Sequence, residues 1–185
     1  MRSAFIADVR RFAEKDKVNG GFCWLLASSY GLEALLAYRL GRWLLRAAHK
    51  YYTWPLLPIG WALYYLLSRC VRLAFDIRLE LSADIGPGFY IGHFGAICVR
   101  RCRIGANCSI GRLTDIAAAD NGPEPMIGDR VWLGAHVHLV GSYRVGSGAT
   151  VGAGTEVRQD VPDAALYLGN PARVVMRNYD NGSFL

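Results

Sequence analysis

The chain lacks any arrangement of residues suited to zinc. Its five cysteines, Cys23, Cys70, Cys98, Cys102 and Cys108, form no CxxC pair and no Cys/His cluster at zinc spacing, so a zinc-built domain is excluded and reduced thiols in a cytoplasmic protein are expected. Nothing at the N-terminus reads as a cleavable signal peptide. Acidic residues are scarce in the first part: residues 1–78 hold five Asp/Glu against twelve Lys/Arg, whereas residues 79–185 hold ten against nine. The basic excess is therefore N-terminal. Its arginines (Arg39, Arg42, Arg46, then Arg69 and Arg72) punctuate apolar stretches, a pattern that suits an anionic membrane surface or a solvated helix face, and no nucleic-acid partner is expected. Charge is missing altogether from Tyr51 to Ser68, which reaches the lower limit for a membrane span, but Pro55 and Pro58 interrupt it.

What is present begins with apolar content. At 52% hydrophobic residues over 185 positions the chain can bury a core and is not disordered. Residues 30–50 place Leu32, Leu35, Leu36, Leu40, Trp43 and Leu44 near helical spacing and predict an amphipathic helix. A second helix is expected from about Ile59, packed on its own domain, on a neighbouring subunit or on a membrane surface through residues 30–72.

From Leu79 the period changes from helical to six. Aliphatic residues recur at Ile85, Ile91 and Ile97, resume after a one-residue slip at Ile104, Ile110 and Ile116, and continue after an insertion at Ile127, Leu133, Leu139, Val145, Val151 and Val157. Glycine follows the aliphatic residue in eight of these twelve hexads, where the chain has to turn after each short strand. Three hexads make one triangular coil, so the pattern predicts a mainly β protein built on a left-handed parallel β-helix of about four coils, preceded by an α-helical N-terminal region. A β-sandwich would alternate with period two, and this sequence does not. The expected organisation is 1–75 helical, 76–168 β-helix with an insertion loop at 117–126, and 169–185 a closing segment whose polar end after Arg177 is expected to be mobile. Insertions in solenoids fall on one face and often bind ligands.

The hexads, the segment IGPGFYIGHFGAICV (Ile85 to Val99) and the closing GNPARVV (Gly169 to Val175) together resemble the serine acetyltransferase group of hexapeptide-repeat acyltransferases, which includes relatives encoded with exopolysaccharide genes. DVRRF (Asp8 to Phe12) and AYRLGRWL (Ala37 to Leu44) extend the resemblance more loosely into the helical part. It implies that His93 is a general base that takes the proton of an acceptor hydroxyl as the oxygen attacks the thioester carbonyl of acetyl-CoA. Imidazole suits that task because it is largely uncharged near pH 7. The glycine-rich corners are expected to offer backbone N–H groups to the tetrahedral oxyanion. By resemblance Ala135, His136, Gly152, Asn170, Pro171 and Arg173 would line the CoA wall, with Arg173 meeting a phosphate or capping the coil end. The family works as trimers with sites between subunits, so a homotrimer is expected.

Three departures from the serine-specific pattern matter. Gly92 stands where an aspartate precedes the histidine, Pro123-Glu124 stands where an Arg-His pair grips serine, and Arg78 stands at the spacing of the aspartate that orients the base. Asp76, Asp120 and Glu124 are the available carboxylates, and the insertion loop makes Glu124 and Asp120 the expected catalytic partners. Loss of the cationic pair points away from an amino-acid carboxylate. The expected reaction is acetyl transfer from acetyl-CoA to a hydroxyl of a sugar or glycan intermediate at the cytoplasmic face of a membrane. The alternatives are serine O-acetylation and, in another class, a non-catalytic or metal-binding assembly protein. His136 and His138 are expected to alternate across a strand with only one outward, and no third histidine at matching spacing completes a metal site.

Overall fold

The computed structural model describes residues 2–16, 22–48, 57–119 and 122–185. Four helices come first: α1 (Arg2–Asp16), α2 (Phe22–Ser28), α3 (Tyr30–Ala47) and α4 (Leu57–Phe75). α3 forms where apolar spacing predicts it and buries Leu32, Leu35, Tyr38 and Leu44. α4 starts with Pro58 in its first turn, the part of a helix where the missing N–H costs nothing. The rest of the uncharged stretch, through Pro55, lies outside the described residues. Among the described residues no helix is long and apolar enough to cross a membrane.

Strand formation begins at Ile77. The first coil comprises β1 (Ile77–Leu79), β2 (Asp84–Ile85) and β3 (Tyr90–Ile91), and the second β4 (Ile97–Val99), β5 (Arg103–Ile104) and β6 (Ser109–Ile110). β7 (Asp115–Ala117), β8 (Met126–Ile127) and β9 (Trp132–Leu133) make the third, and β10 (His138–Val140), β11 (Arg144–Val145) and β12 (Thr150–Val151) the fourth. Corresponding strands stack in parallel as three faces, β1-β4-β7-β10, β2-β5-β8-β11 and β3-β6-β9-β12. A fifth turn follows through bridges at Glu156 and Val161 and the strand β13 (Ala165–Gly169), on which β14 (Ala172–Arg177) folds back antiparallel. The β-helix is thus about five turns long, one more than the hexads predict.

Register explains both the core and the shortfall. The inward columns are Leu79, Val99, Ile116, Leu139 and Val157; Ile85, Ile104, Ile127, Val145 and Val161; and Ile91, Ile110, Leu133, Val151 and Tyr167. All are buried except half-buried Leu79. Val99, Val161 and Tyr167 escape the six-residue beat because two of the three edges vary in length, and Ile97, which keeps the beat, falls in the layer behind Val99. Between the first and second faces the inward residues are separated by six (Leu79 to Ile85), five (Val99 to Ile104), eleven (Ile116 to Ile127), six (Leu139 to Val145) and four positions (Val157 to Val161); between the third and first faces the first step is eight (Ile91 to Val99) and the later ones six, and between the second and third faces every step is six. Two positions before the inward residue lies a second buried layer that includes Ala83, Phe89, Cys102, Cys108, Val131 and Val137. Burial pushes the Cys102 thiol up to about 12 and the Cys108 thiol up to about 11, so both are protonated core groups.

The first coil has no coil beneath it, and helix side chains take up its open backbone groups. Asp8 of α1, fully buried, pairs with Arg39 of α3 at 3.0 Å and accepts from the Phe89 amide. Arg39 also donates to the carbonyls of Ile85 and Gly86. Tyr38 donates to Ala83 O and accepts from the Ile85 amide, and Arg11 donates to Gly88 O and Ser109 Oγ. α3 comes so close that a Cβ on Gly31 would lie 2.7 Å from Ile91 O, a distance that only glycine permits. The other end is closed by β14 and the tail. Contrary to the expected mobility, Asn181 is buried and donates to Arg130 O and Ala149 O, Phe184 stacks on Trp132, and Lys15 of α1 reaches the Phe184 carbonyl.

Candidate active site

Of the three edges, the one leaving the third face carries the candidate chemistry. After each strand of that face comes a glycine and then an outward residue: Gly92-His93 after β3, Gly111-Arg112 after β6, Gly134-Ala135 after β9 and Gly152-Ala153 after β12, with the Gly169–Pro171 turn after β13. Backbone bonds run up this edge from Leu113 N to Gly95 O, His136 N to Arg112 O and Gly154 N to Ala135 O. At about 4.8 Å per coil, His93 and the Asn170–Pro171 turn stand roughly 19 Å apart along one wall. Six of the residues singled out in the sequence (His93, Ala135, His136, Gly152, Asn170 and Pro171) share it, and exposed Arg173 lies on β14 just beyond the turn. Arg112, exposed between His93 and His136, was missed, although it has the same offset from its hexad leader as His93.

His93 is exposed, and its ring makes no hydrogen bond among the described residues. The turn that presents it is braced from both sides, since Gly95 N donates to Phe75 O and Ile97 N to Asp76 O. Gly95 has φ +106 with open space around its missing Cβ, so it serves the geometry of the corner. Phe94 stands edge-on to Tyr30 of α3, with centroids 5.2 Å apart, which ties the histidine turn to the helical part. A cavity of about 260 Å³ reaches Gly92 from the helix side between Phe12, Tyr30 and Tyr90.

The expected acid partners are not at this corner within one chain. Glu124 lies on the edge between the first and second faces, where it is ion-paired with Arg103, and Asp120 lies outside the described residues. Asp76 is the carboxylate residue that the fold brings to the histidine turn, and it does so from the end of α4, exposed and with φ 52. Spacing alone hides this, because the histidine corner between Ile91 and Val99 holds two residues more than the corners of the later coils.

Of two further expectations, the geometry narrows the first and overturns the second. The corner glycines have no spare amides: Gly92, Gly111, Gly134 and Gly152 each donate to a carbonyl of the next coil, so an oxyanion would have to use other donors on this edge. Among the described residues the amides of Ala135 and Ala153 take no part in that ladder. His136 and His138 are both exposed, with rings 5.1 Å apart and nearly edge-on, because residues two apart share a face and buried Val137 between them turns inward. Among the described residues no group of three His, Cys, Asp or Glu is placed to hold a metal ion.

No family model matches the chain. It is similar to the serine acetyltransferase of Bacillus pumilus, at 28% identity over 92% of this chain and 76% of that protein, and to serine acetyltransferase 4 of Arabidopsis thaliana, at 32% over 95% of this chain and 47% of that protein. The chain thus spans about half the length of the plant relative and 62% of the Escherichia coli one. Among solved structures, soybean serine acetyltransferase matches with a TM-score of 0.73 and 32% identity over 94% of this chain and 68% of that one. The serine acetyltransferase of Brucella abortus in complex with coenzyme A shares the fold, with a TM-score of 0.77 at 21% identity over 94% of this chain and 67% of that one.

Proposed function

Because this chain belongs to the serine acetyltransferase-like family of hexapeptide-repeat acyltransferases, we propose that it transfers the acetyl group of acetyl-CoA to a hydroxyl, with L-serine as the acceptor that its relatives favour. The sugar or glycan acceptor expected from the sequence is the less supported reading. One observation carries the proposal: His93 and the CoA-wall residues occupy a single edge of the β-helix, coil above coil. That edge accommodates an extended cofactor arm running from Pro171 past Gly152 and His136 toward His93.

In this reading the exposed His93 imidazole accepts the proton of the acceptor hydroxyl. The oxygen forms a bond to the thioester carbonyl carbon, and collapse of the tetrahedral intermediate breaks the carbon–sulfur bond. The proton held on His93 then passes to the departing thiolate. Asp76, carried on the same corner, takes over the orienting role that the sequence assigned to Glu124 and Asp120. The latter two belong to this site only if a neighbouring subunit of a homotrimer lays its 117–126 loop across the edge, an arrangement we include in the proposal.

A sugar hydroxyl remains the second reading on one observation. Glu124 stands where the serine-specific pattern has a cation and is itself ion-paired with Arg103, so that position offers no free positive charge to an incoming carboxylate. The test is thiol release from acetyl-CoA with L-serine, nucleotide sugars or a lipid-linked glycan as acceptor. Serine-dependent release supports the first reading, release with a sugar alone supports the second, and no acceptor-dependent release with any of them overturns the assignment as a transferase of this class.

A further inference from the structure

Helix α4 buries only Leu57 and Val71. Its opposite side exposes Ile59, Leu63, Leu66 and Leu73, each between 48% and 78% accessible, and at helical spacing these fall within about a third of the circumference, together with exposed Ala62 and Cys70. The helix has no acidic side chain. Along one flank of the apolar stripe run Tyr65, Arg69 and Arg72, with the Arg69 guanidinium over the Tyr65 ring at 5.9 Å. That flank opens on a cleft of about 610 Å³ between α4, α3 and β1, which adds Arg78 and a single acid, Glu80.

Several arginines are already engaged. Arg39, Arg42, Arg100, Arg103 and Arg158 are ion-paired, and Arg11 is tied to the second coil. Among the described residues Arg69, Arg72 and Arg78 have no carboxylate partner, and they border the apolar stripe. We propose that the outer face of α4 and the arginine-lined cleft beside it form a docking surface for an anionic lipid bilayer. The helix lies along the interface with Ile59, Leu63, Leu66 and Leu73 among the acyl chains and the three guanidinium groups at the level of the phosphates. This narrows the membrane-surface expectation from residues 30–72 to one helix, since Arg39 and Arg42 of α3 are already used internally. Charge also favours lipid over a second copy of the chain, because another α4 would bring more arginine and no carboxylate. The inference does not depend on which acceptor is acetylated.

Co-sedimentation of the full chain with phosphatidylcholine vesicles, with and without phosphatidylglycerol, tests it. The wild type is expected to partition onto the anionic vesicles at least tenfold more than onto the neutral ones, and less at high salt. L63S/L66S and R69Q/R72Q should each lower that partition at least tenfold with unchanged melting curves, as the altered groups are exposed. Equal binding to both vesicles, no binding, or full binding by both variants overturns the proposal. So does a wild type that ignores vesicles but loses mass in light scattering when Leu63 and Leu66 are replaced, which would assign the face to contact between copies.

Discussion

Between Ile77 and Gly169 each turn of chain is held by the turns above and below it, through about one inward aliphatic residue and a pair of ladder bonds per strand. The helices in front of it are fastened differently. α1 and α3 reach the first coil through a few buried polar groups, Asp8, Arg11, Tyr38 and Arg39. Stability is spread evenly in one region and concentrated in the other. A change at a coil corner should therefore cost the fold little, while loss of one polar anchor should loosen the whole helical cap.

The strongest test removes an anchor. Asp8→Ala leaves the Arg39 guanidinium buried without its carboxylate and should cost about 3–5 kcal/mol, read in denaturant as loss of helical signal ahead of the β-helix transition. A single unchanged transition would break the contrast. The matching test on the other region is His93→Ala, which removes an exposed corner side chain. It should reduce acetyl transfer at least a hundredfold and leave the unfolding midpoint where it was. Near-normal turnover in that folded variant would take His93 out of the mechanism.

Smaller effects refine the picture at the far end. Asn181→Ala gives up two side-chain hydrogen bonds to Arg130 O and Ala149 O and should cost about 1 kcal/mol, with faster proteolysis of the tail as the local readout. Thiol labelling at pH 8 should mark exposed Cys70 within minutes and spare Cys102 and Cys108. Burial raises those two pKa values to about 12 and about 11, so the reactive thiolate is nearly absent and becomes appreciable only as pH rises toward those values. Rapid labelling of either in the native protein would mean that the second buried layer opens.

How much of this was legible depended on the range of the interaction. The hexads were readable because each coil repeats the same local solution, and eleven of the twelve hexad leaders are inward residues. Val99, Val161 and Tyr167 were not readable in that way, since Val99 follows an eight-residue step and Val161, with Tyr167 six residues after it, a four-residue one. The tail looked polar and loose, but Asn181 finds carbonyls that only the stacked coils bring together. Within one chain Glu124 does not stand beside His93, because its loop leaves from a different edge of the triangle. Asp76 was in view as a carboxylate but had no assigned role, because two extra residues on the histidine corner, between Ile91 and Val99, disguise its relation to the histidine.

By itself, then, the sequence determined the period, and with it the β-helix, the helix positions of α3 and α4, and the candidate base at His93. Each of these follows from contacts between residues close in the chain or one coil apart. Only the tertiary structure decided which charges are used internally and which remain exposed. Asp8 meets Arg39 across 31 positions and Arg11 meets Ser109 across 98, and at such separations an arginine's partner is set by how helices seat on the first coil, which no local pattern records.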